Sequence, residues 1–281
     1  MVDLKETNRL LDVLMATVDS PEPVAEGAEL YCGLDVGTAF IVLVVVDAAG
    51  EPVACAYQFA DVVRDGMVVD YMGACDIARS LKEQLEGRLG CELLQTAVAI
   101  PPGTESLDGG VVRNVAESAG FDVVAVFDEP TAANMVMGIE NGAVVDIGGG
   151  TTGISVLCDG RVVQCVDEST GGTHFSLVLA GAKGVGFDEA EGYKRDSANH
   201  AEVLRIVRPT VDKVASIVER SCRGFQVPEV ILVGGTAELT GIEERMEHQL
   251  GMPVVKPSRP MFVTPLGIAC GCRAKVQGEG R

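Results

Sequence analysis

The chain has 281 residues, 47% hydrophobic and 22% charged, a composition that supports a substantial core and excludes a disordered or collagenous protein. Its 41 acidic and 22 basic residues leave a formal charge of −19, which repels polyphosphate backbones and anionic membrane surfaces. With no Trp and 4% aromatic residues, platforms for stacking single-stranded bases are scarce as well.

Residues 1–28 read as an appendage and linker. Leu4, Leu10, Leu11, Leu14, Met15 and Val18 recur at helical spacing, and Ser20-Pro-Glu-Pro23 stops the helix. Such a helix either packs on its own body or offers an apolar face to a partner groove, and its spacing does not choose between them. The opening residues lack a basic start and an apolar core, so no secretory signal is expected. Apolar runs such as 39–46 fall far short of the roughly 20 residues that span a bilayer, so no membrane span is expected either.

The body repeats one pattern twice. Leu30–Val46 reads as a strand, the turn Asp35-Val-Gly37-Thr38 and a second strand, with a third strand from Pro52 to Phe59. Ala143–Val145 leads in the same way into Asp146-Ile-Gly148-Gly149-Gly150-Thr151, a strand 153–158, the turn Asp159-Gly160 and a strand 161–166. Helices at 74–89 and 110–119 and strands at 94–100 and 123–127 complete the first half. Helices at 173–182, 201–223 and 236–250, strands at 229–233 and 253–255, and a last helix at 264–276 complete the second. Two α/β halves with a cleft between them are the natural assembly.

Gly148 to Gly153 satisfies G-x-G-x-x-G, yet a strand and a hairpin turn follow it, where a dinucleotide fold requires a helix. No Gly-Lys dipeptide exists, which removes a P-loop. A glycine-rich hairpin still lets backbone N–H groups close on an anion, and two of them could clamp a polyphosphate. Asp35 and Asp146, each just before its glycines, would repel phosphate unless a divalent cation lies between, which points to Mg²⁺ held largely through water. Gly234-Gly235-Thr236 joins a strand to a helix and suits an adenosine-side contact. The nine cysteines, mostly inside apolar runs, read as small buried hydrophobes of a reducing cytoplasm. Cys270-Gly-Cys272 lacks the second pair or nearby His of a zinc site, and His174, His200 and His248 lie far apart.

These motifs resemble the actin, sugar-kinase and seventy-kilodalton heat-shock chaperone superfamily. Gly33-Leu-Asp35-Val-Gly37-Thr38 resembles its first phosphate segment, Val145 to Thr151 its second, Leu232 to Thr236 its adenosine segment, and Phe127-Asp-Glu129-Pro-Thr131 and Pro265-Leu-Gly267-Ile-Ala269 its connecting segments. The resemblance implies a two-lobed actin-like ATPase fold of duplicated, ribonuclease H-like βββαβα halves, with nucleotide between the lobes. Lobe I would span 29–142 with a C-terminal helix at 258–276, and lobe II would span 143–257. It further implies ATP or ADP with Mg²⁺ as cofactors. Asp35 and Asp146 would hold the cation, and Glu129 would orient the attacking water. Gly37, Thr38, Gly148, Gly149, Gly150, Thr151, Gly171 and Gly172 would lie on phosphate, with Gly234, Gly235 and Thr236 on adenosine. Glu191 and Lys194 would lie on ribose and adenine, although the same residues also read as a solvated helix face.

Asp61-Val-Val-Arg64-Asp65-Gly66, Ser118-Ala-Gly120, Ala180-Gly181 and Asp188 to Arg195 narrow the resemblance to the chaperone-like J proteins of bacterial ethanolamine utilisation. That family implies a cytoplasmic, nucleotide-dependent switch acting on a protein client, either the ammonia-lyase or a microcompartment component. Two departures qualify it. Gly153 stands where many of the chaperones carry an acid that contacts cation-bound water, and their catalytic Lys has no counterpart beyond a conceivable Arg64. A weak ATPase at most is therefore expected. An actin-like assembly or pilus scaffold is the alternative, and a small-molecule kinase, lacking a visible base and substrate insert, ranks below both.

Overall fold

The computed structural model describes residues 2–21, 24–25, 27–64, 67–102 and 108–278. Glu22 and Pro23 of the linker, and Asp65 and Gly66 of the 61–66 motif, lie outside the described residues. The chain divides into two compact units: Asp3–Gly138 with the chain from Phe262, and Ile139–Met261 with Val2.

In the first unit α1 (Lys5–Ala16) precedes a meander of β1 (Leu30–Val36), β2 (Phe40–Asp47) and β3 (Pro52–Phe59). A small hairpin, β4 (Val63–Arg64) and β5 (Met67–Val68), leads to α2 (Tyr71–Leu89), β6 (Gln95–Ile100), α3 (Asp108–Ser118), β7 (Asp122–Asp128) and α4 (Glu129–Met137). The second unit opens with its own meander, β8 (Gly142–Ile147), β9 (Thr152–Cys158) and β10 (Arg161–Glu168). It continues through α5 (Gly172–Lys183), α6 (Phe187–Arg195), α7 (His200–Ser221), β11 (Val230–Val233), α8 (Ile242–Leu250) and β12 (Val254–Val255), after which α9 (Val263–Gln277) returns to the first unit.

The two five-stranded sheets have matching orders, β3-β2-β1-β6-β7 and β10-β9-β8-β11-β12. In each, the meander is antiparallel and the remaining two strands run parallel to its first strand. β2 and β8 are largely aliphatic because both of their faces are covered, and Ile41–Val46 and Ala143–Ile147 are almost wholly buried. Each unit has its own apolar core, one around Leu34, Leu43, Leu81 and Val98 and the other around Val145, Phe175, Val207 and Leu232.

The appendage helix packs on its own unit. Leu11 and Leu14 are fully buried, the Thr7 hydroxyl donates to the Val136 carbonyl at 3.2 Å, and Arg9 Nη1 reaches Glu51 at 2.9 Å.

Two helix boundaries differ from the sequence reading. The segment 236–250 is a 3₁₀ turn, Gly235–Glu238, followed by α8, because Gly241 sits at φ +86° and breaks the helix. Lys256 Nζ stabilises the break by donating to the carbonyls of Ala237 and Leu239 at 3.0 and 3.1 Å, and His200 Nδ1 accepts the Thr240 N–H at 3.0 Å. The last helix begins at Val263, one residue from the start at 264 that its periodicity gives and not at 258, where the resemblance set it. Residues up to Met261 belong to the second unit, where the Pro260 carbonyl accepts the Gly234 N–H at 3.0 Å.

α9 is apolar on nearly all sides, as befits a helix enclosed by other elements. It crosses α4 at Gly267, where a Cβ would overlap the Ala132 carbonyl, and at Gly271, against Phe127 and Met135. Gly267→Ala is therefore expected to destabilise by about 3 kcal/mol or more. Gly87→Ala, on the exposed face of α2 with nothing near it, should stabilise by about 0.5–1 kcal/mol. Urea midpoints of the two variants, moving in opposite directions from wild type, check both.

Candidate functional site

The second unit brings three glycine segments together at the carboxyl end of β8, the edge where α/β sheets bind ligands. β8 and β9 meet in the four-residue turn Gly148-Gly149-Gly150-Thr151, closed by the Gly148 N–H donating to the Thr151 carbonyl at 3.0 Å. The G-x-G-x-x-G match is thus a β-hairpin. The start of α5 lies directly on this turn: the N–H groups of Gly171, Gly172 and Thr173 donate to the carbonyls of Gly150, Gly148 and Gly149 at 2.9, 2.9 and 2.8 Å. From the third segment, the Thr236 hydroxyl donates to the Gly148 carbonyl at 2.8 Å.

Glycine is required at the closest crossings. A Cβ on Gly171 would stand 2.5 Å from the Gly150 carbonyl carbon and 2.7 Å from the Thr151 nitrogen, closer than side chains approach backbone. Gly234, at φ +90°, lies so close to Asp146 Oδ1 and the Ile147 carbonyl that any Cβ would overlap them. Asp146 is 8% exposed, and its carboxyl lies near the end of β8 against this backbone.

Glu191 and Lys194 close the site from α6, and they are not a solvated face. Their side chains are 14% and 11% exposed, Lys194 Nζ lies 2.7 Å from Glu191 Oε2, and Nζ also donates to the Gly172 carbonyl at 3.0 Å. Glu191 further accepts from the Ser176 hydroxyl and from Arg195 Nε at 2.9 Å. Burial raises the Glu191 pKa, but Lys194, Ser176 and Arg195 outweigh it and hold the carboxyl below the usual range. For Lys194, burial outweighs the attraction of Glu191 and lowers the ammonium below its ordinary value.

Sequence reasoning missed Asp167 on β10, which pairs in register with Gly153 of β9. Burial pushes its carboxyl up, and a hydrogen bond from the Thr151 hydroxyl holds it partly back. The sequence carried no direct signal for it, because the pairing depends on a β-bulge between Val162 and Gln164 that shifts the register by one residue.

In the first unit, Asp35 is the last residue but one of β1 and Gly37 closes the following turn, its N–H donating to the Phe40 carbonyl at 3.0 Å, the same closure as Gly148 to Thr151. The two threonines are not equivalent, since Thr38 is the second residue of its turn and Thr151 the fourth. Glu129 opens α4, whose N-cap Asp128 accepts the Thr131 N–H at 2.9 Å. β6 separates β1 from β7, so Asp35 and Glu129 share one sheet edge about 10 Å apart by strand spacing. Arg64 is 69% exposed beside Asp61 at 3.4 Å. A groove of about 900 Å³, lined by Val24, Tyr31, Leu89, Cys91 and Leu94, lies at the opposite, amino ends of these strands.

Among the described residues, no cluster of three or more His, Cys, Asp or Glu could hold a metal, and no helix is long and apolar enough to cross a membrane. Five of the cysteines are buried, Cys158 and Cys270 are half-buried, and Cys91 and Cys165 are exposed.

Because the Glu191 pKa is lowered in the folded state, its contribution to stability is present above about pH 4.5 and is lost as pH falls through the depressed value. Glu191→Gln should lower stability at neutral pH by about 1–2 kcal/mol, and the acid limb of a stability–pH curve should be shallower than for wild type.

The family profile for MreB/Mbl protein matches residues 57–179, and that for type IV pilus assembly protein PilM matches residues 124–266. Ethanolamine utilization protein EutJ of Salmonella typhimurium (strain LT2) is 41% identical over 264 residues, covering 94% of this chain and 93% of that protein. The crystal structure of EutJ from Carboxydothermus hydrogenoformans, 46% identical, superposes with a TM-score of 0.89 over 94% of this chain and 98% of that one. MreB5 of Spiroplasma citri, solved bound to ADP, superposes with a TM-score of 0.71 over 90% of this chain and 99% of its own, at 15% identity. With its duplicated sheets and hairpins, the chain has the actin-like ATPase fold and belongs to the family of the ethanolamine utilization protein EutJ.

Proposed function

We propose that this protein binds ATP and ADP with Mg²⁺ and acts as a nucleotide-dependent conformational switch, with weak ATPase activity at most, on a protein client of ethanolamine utilisation. The observation that carries the reading is the packing of three glycine segments around Asp146. The N–H groups of Gly148, Gly171, Gly172 and Gly234 are committed to protein carbonyls. Among the described residues, those of Gly149, Gly150 and Thr151 carry no such backbone commitment, and they are the donors offered to phosphate. Gly234, Gly235 and Thr236 with Glu191 and Lys194 lie on the adenosine side, where the first three act by close packing and the charged pair supplies polar contacts to ribose and base.

In this reading the first unit would supply Asp35, Gly37 and Thr38 from its equivalent hairpin and Glu129 from the head of α4. The donor set fits Mg²⁺, which prefers oxygen ligands and retains water: Asp146 is an oxygen donor held at the hairpin, and Asp167 has a buried oxygen with no hydrogen-bond partner among the described residues. When bound, the cation would neutralise phosphate charge beside the two aspartates. Asp35 and Asp146 would hold its hydration shell, Thr38 and the backbone N–H of Thr151 would donate to phosphate, and Glu129 would orient the attacking water. A switch of this kind needs nucleotide to favour one conformation of the protein by differential affinity. The ADP held by MreB5 and the name of the EutJ proteins support the nucleotide and the pathway, and the chaperone-like resemblance supports a client such as the ammonia-lyase or a microcompartment component. The MreB/Mbl and PilM matches favour a second reading, an actin-like assembly scaffold.

Calorimetric titration tests the site. Wild type is expected to bind MgADP, Asp35→Ala and Asp146→Ala to weaken it at least about tenfold, and equal binding by all three would refute the assignment. Glu129→Gln should bind MgATP with wild-type affinity while phosphate release falls by about tenfold or more; unchanged release would remove Glu129 from the water-positioning role. Light scattering that rises on adding MgATP would favour the scaffold over the switch.

A further inference from the structure

Asp167 is acidic, lies at the hairpin, and belongs to none of the motifs. The β9–β10 register sets it opposite Gly153, and its Oδ1 stands 3.9 Å from where a Cβ on Gly153 would be. Its carboxyl receives the Thr151 hydroxyl, while Oδ1 is buried from solvent and has no hydrogen-bond partner among the described residues. The adjoining groups are otherwise engaged: the Thr152 hydroxyl donates to the Thr170 carbonyl at 3.2 Å, and Glu168 pairs with Arg220 at 2.9 Å.

Buried polar atoms in folded proteins have partners, and one left without points to a water or an ion that belongs there. A carboxylate oxygen can only accept, so the partner must donate. A water polarised by a divalent cation is a strong donor and would favour the ionised carboxyl that burial disfavours. Gly153 is what makes room for this arrangement, since with no side chain on β9 the Asp167 carboxyl crosses from β10 into the space beside Thr151. The acid absent from position 153 is thus supplied by the neighbouring strand.

We propose that Asp167 is a positioning residue of the nucleotide site, holding the Thr151 hydroxyl and accepting, through Oδ1, a hydrogen bond from a water in the hydration shell of the nucleotide-bound Mg²⁺. The inference rests on the reading of residues 146–151 as the phosphate hairpin. It assigns part of the cation dependence of nucleotide binding to one residue outside the motifs.

ADP affinity of wild type, Asp167→Asn and the exchange variant Gly153→Asp/Asp167→Gly, measured with Mg²⁺ and with EDTA alongside thermal unfolding, tests it. Wild type should bind ADP more tightly with Mg²⁺. Asp167→Asn should lose about tenfold with Mg²⁺ and little in EDTA, at an unchanged or raised Tm, because the amide keeps the shape and removes a buried charge. The exchange variant, at a Tm near wild type, should recover most of the Mg²⁺ effect. If Asp167→Asn keeps the wild-type ratio of affinities, or loses both affinities alike with a fall in Tm, the role is structural and the proposal fails. Wild type that binds ADP equally with and without Mg²⁺ also overturns it while leaving the phosphate hairpin standing, whereas wild type that binds no ADP in either condition refutes the hairpin reading itself.

Discussion

The second unit depends on backbone lying directly against backbone at Asp146. Three stretches of chain, from the β8–β9 turn, the head of α5 and the junction after β11, approach within distances that only glycine permits at Gly171 and Gly234. The contact is held by a short ladder from Gly171, Gly172 and Thr173 to the turn carbonyls, with the Thr236 hydroxyl completing it. Because this ladder uses the turn's carbonyls and several glycine N–H groups, the turn is rigid and its remaining N–H groups at 149–151 face no backbone acceptor among the described residues. Rigid donors with no internal partner are what an anion site requires, since the ligand then has little ordering of the protein to offset.

The first unit repeats the topology without repeating the chemistry in full. Its turn closes through Gly37 as the other closes through Gly148, but Thr38 and Ala39 replace two of the glycines and no second glycine segment is needed against it. Its glycines serve packing elsewhere: Gly33 admits α9 onto β1, and Gly267 admits α4 onto α9. The duplication therefore repeats the frame and places the denser array of glycine N–H groups in the second unit.

Much of this was legible in the sequence because it depends on local rules. Strand–Asp–Gly-turn–strand patterns give the hairpins, and a strand following the glycines excludes the dinucleotide fold. What escaped depends on contacts between distant segments. Helical periodicity continues through 236–250, and only the φ of Gly241 with Lys256 capping from 15 residues beyond it breaks that helix. Glu191 and Lys194 look like any charged helix face until α6 is placed over Gly172. The same holds for Asp167, which acquires its meaning from a cross-strand register. Regular pairing outward from the Asp159-Gly160 turn would have set Val166 opposite Gly153, and it is the bulge between Val162 and Gln164 that brings Asp167 there instead.

The central claim is that the turn N–H groups of residues 149–151 receive phosphate. Amide hydrogen exchange with and without ADP and Mg²⁺ measures it directly, because N–H groups lacking an acceptor exchange quickly and slow when a ligand oxygen takes the hydrogen bond. The account predicts slowed exchange at Gly149, Gly150 and Thr151 on adding nucleotide, with little change at Gly171 and Gly172, whose N–H groups already have acceptors. Unchanged exchange at 149–151, with protection appearing instead around Tyr31, Leu89 and Leu94, would contradict it.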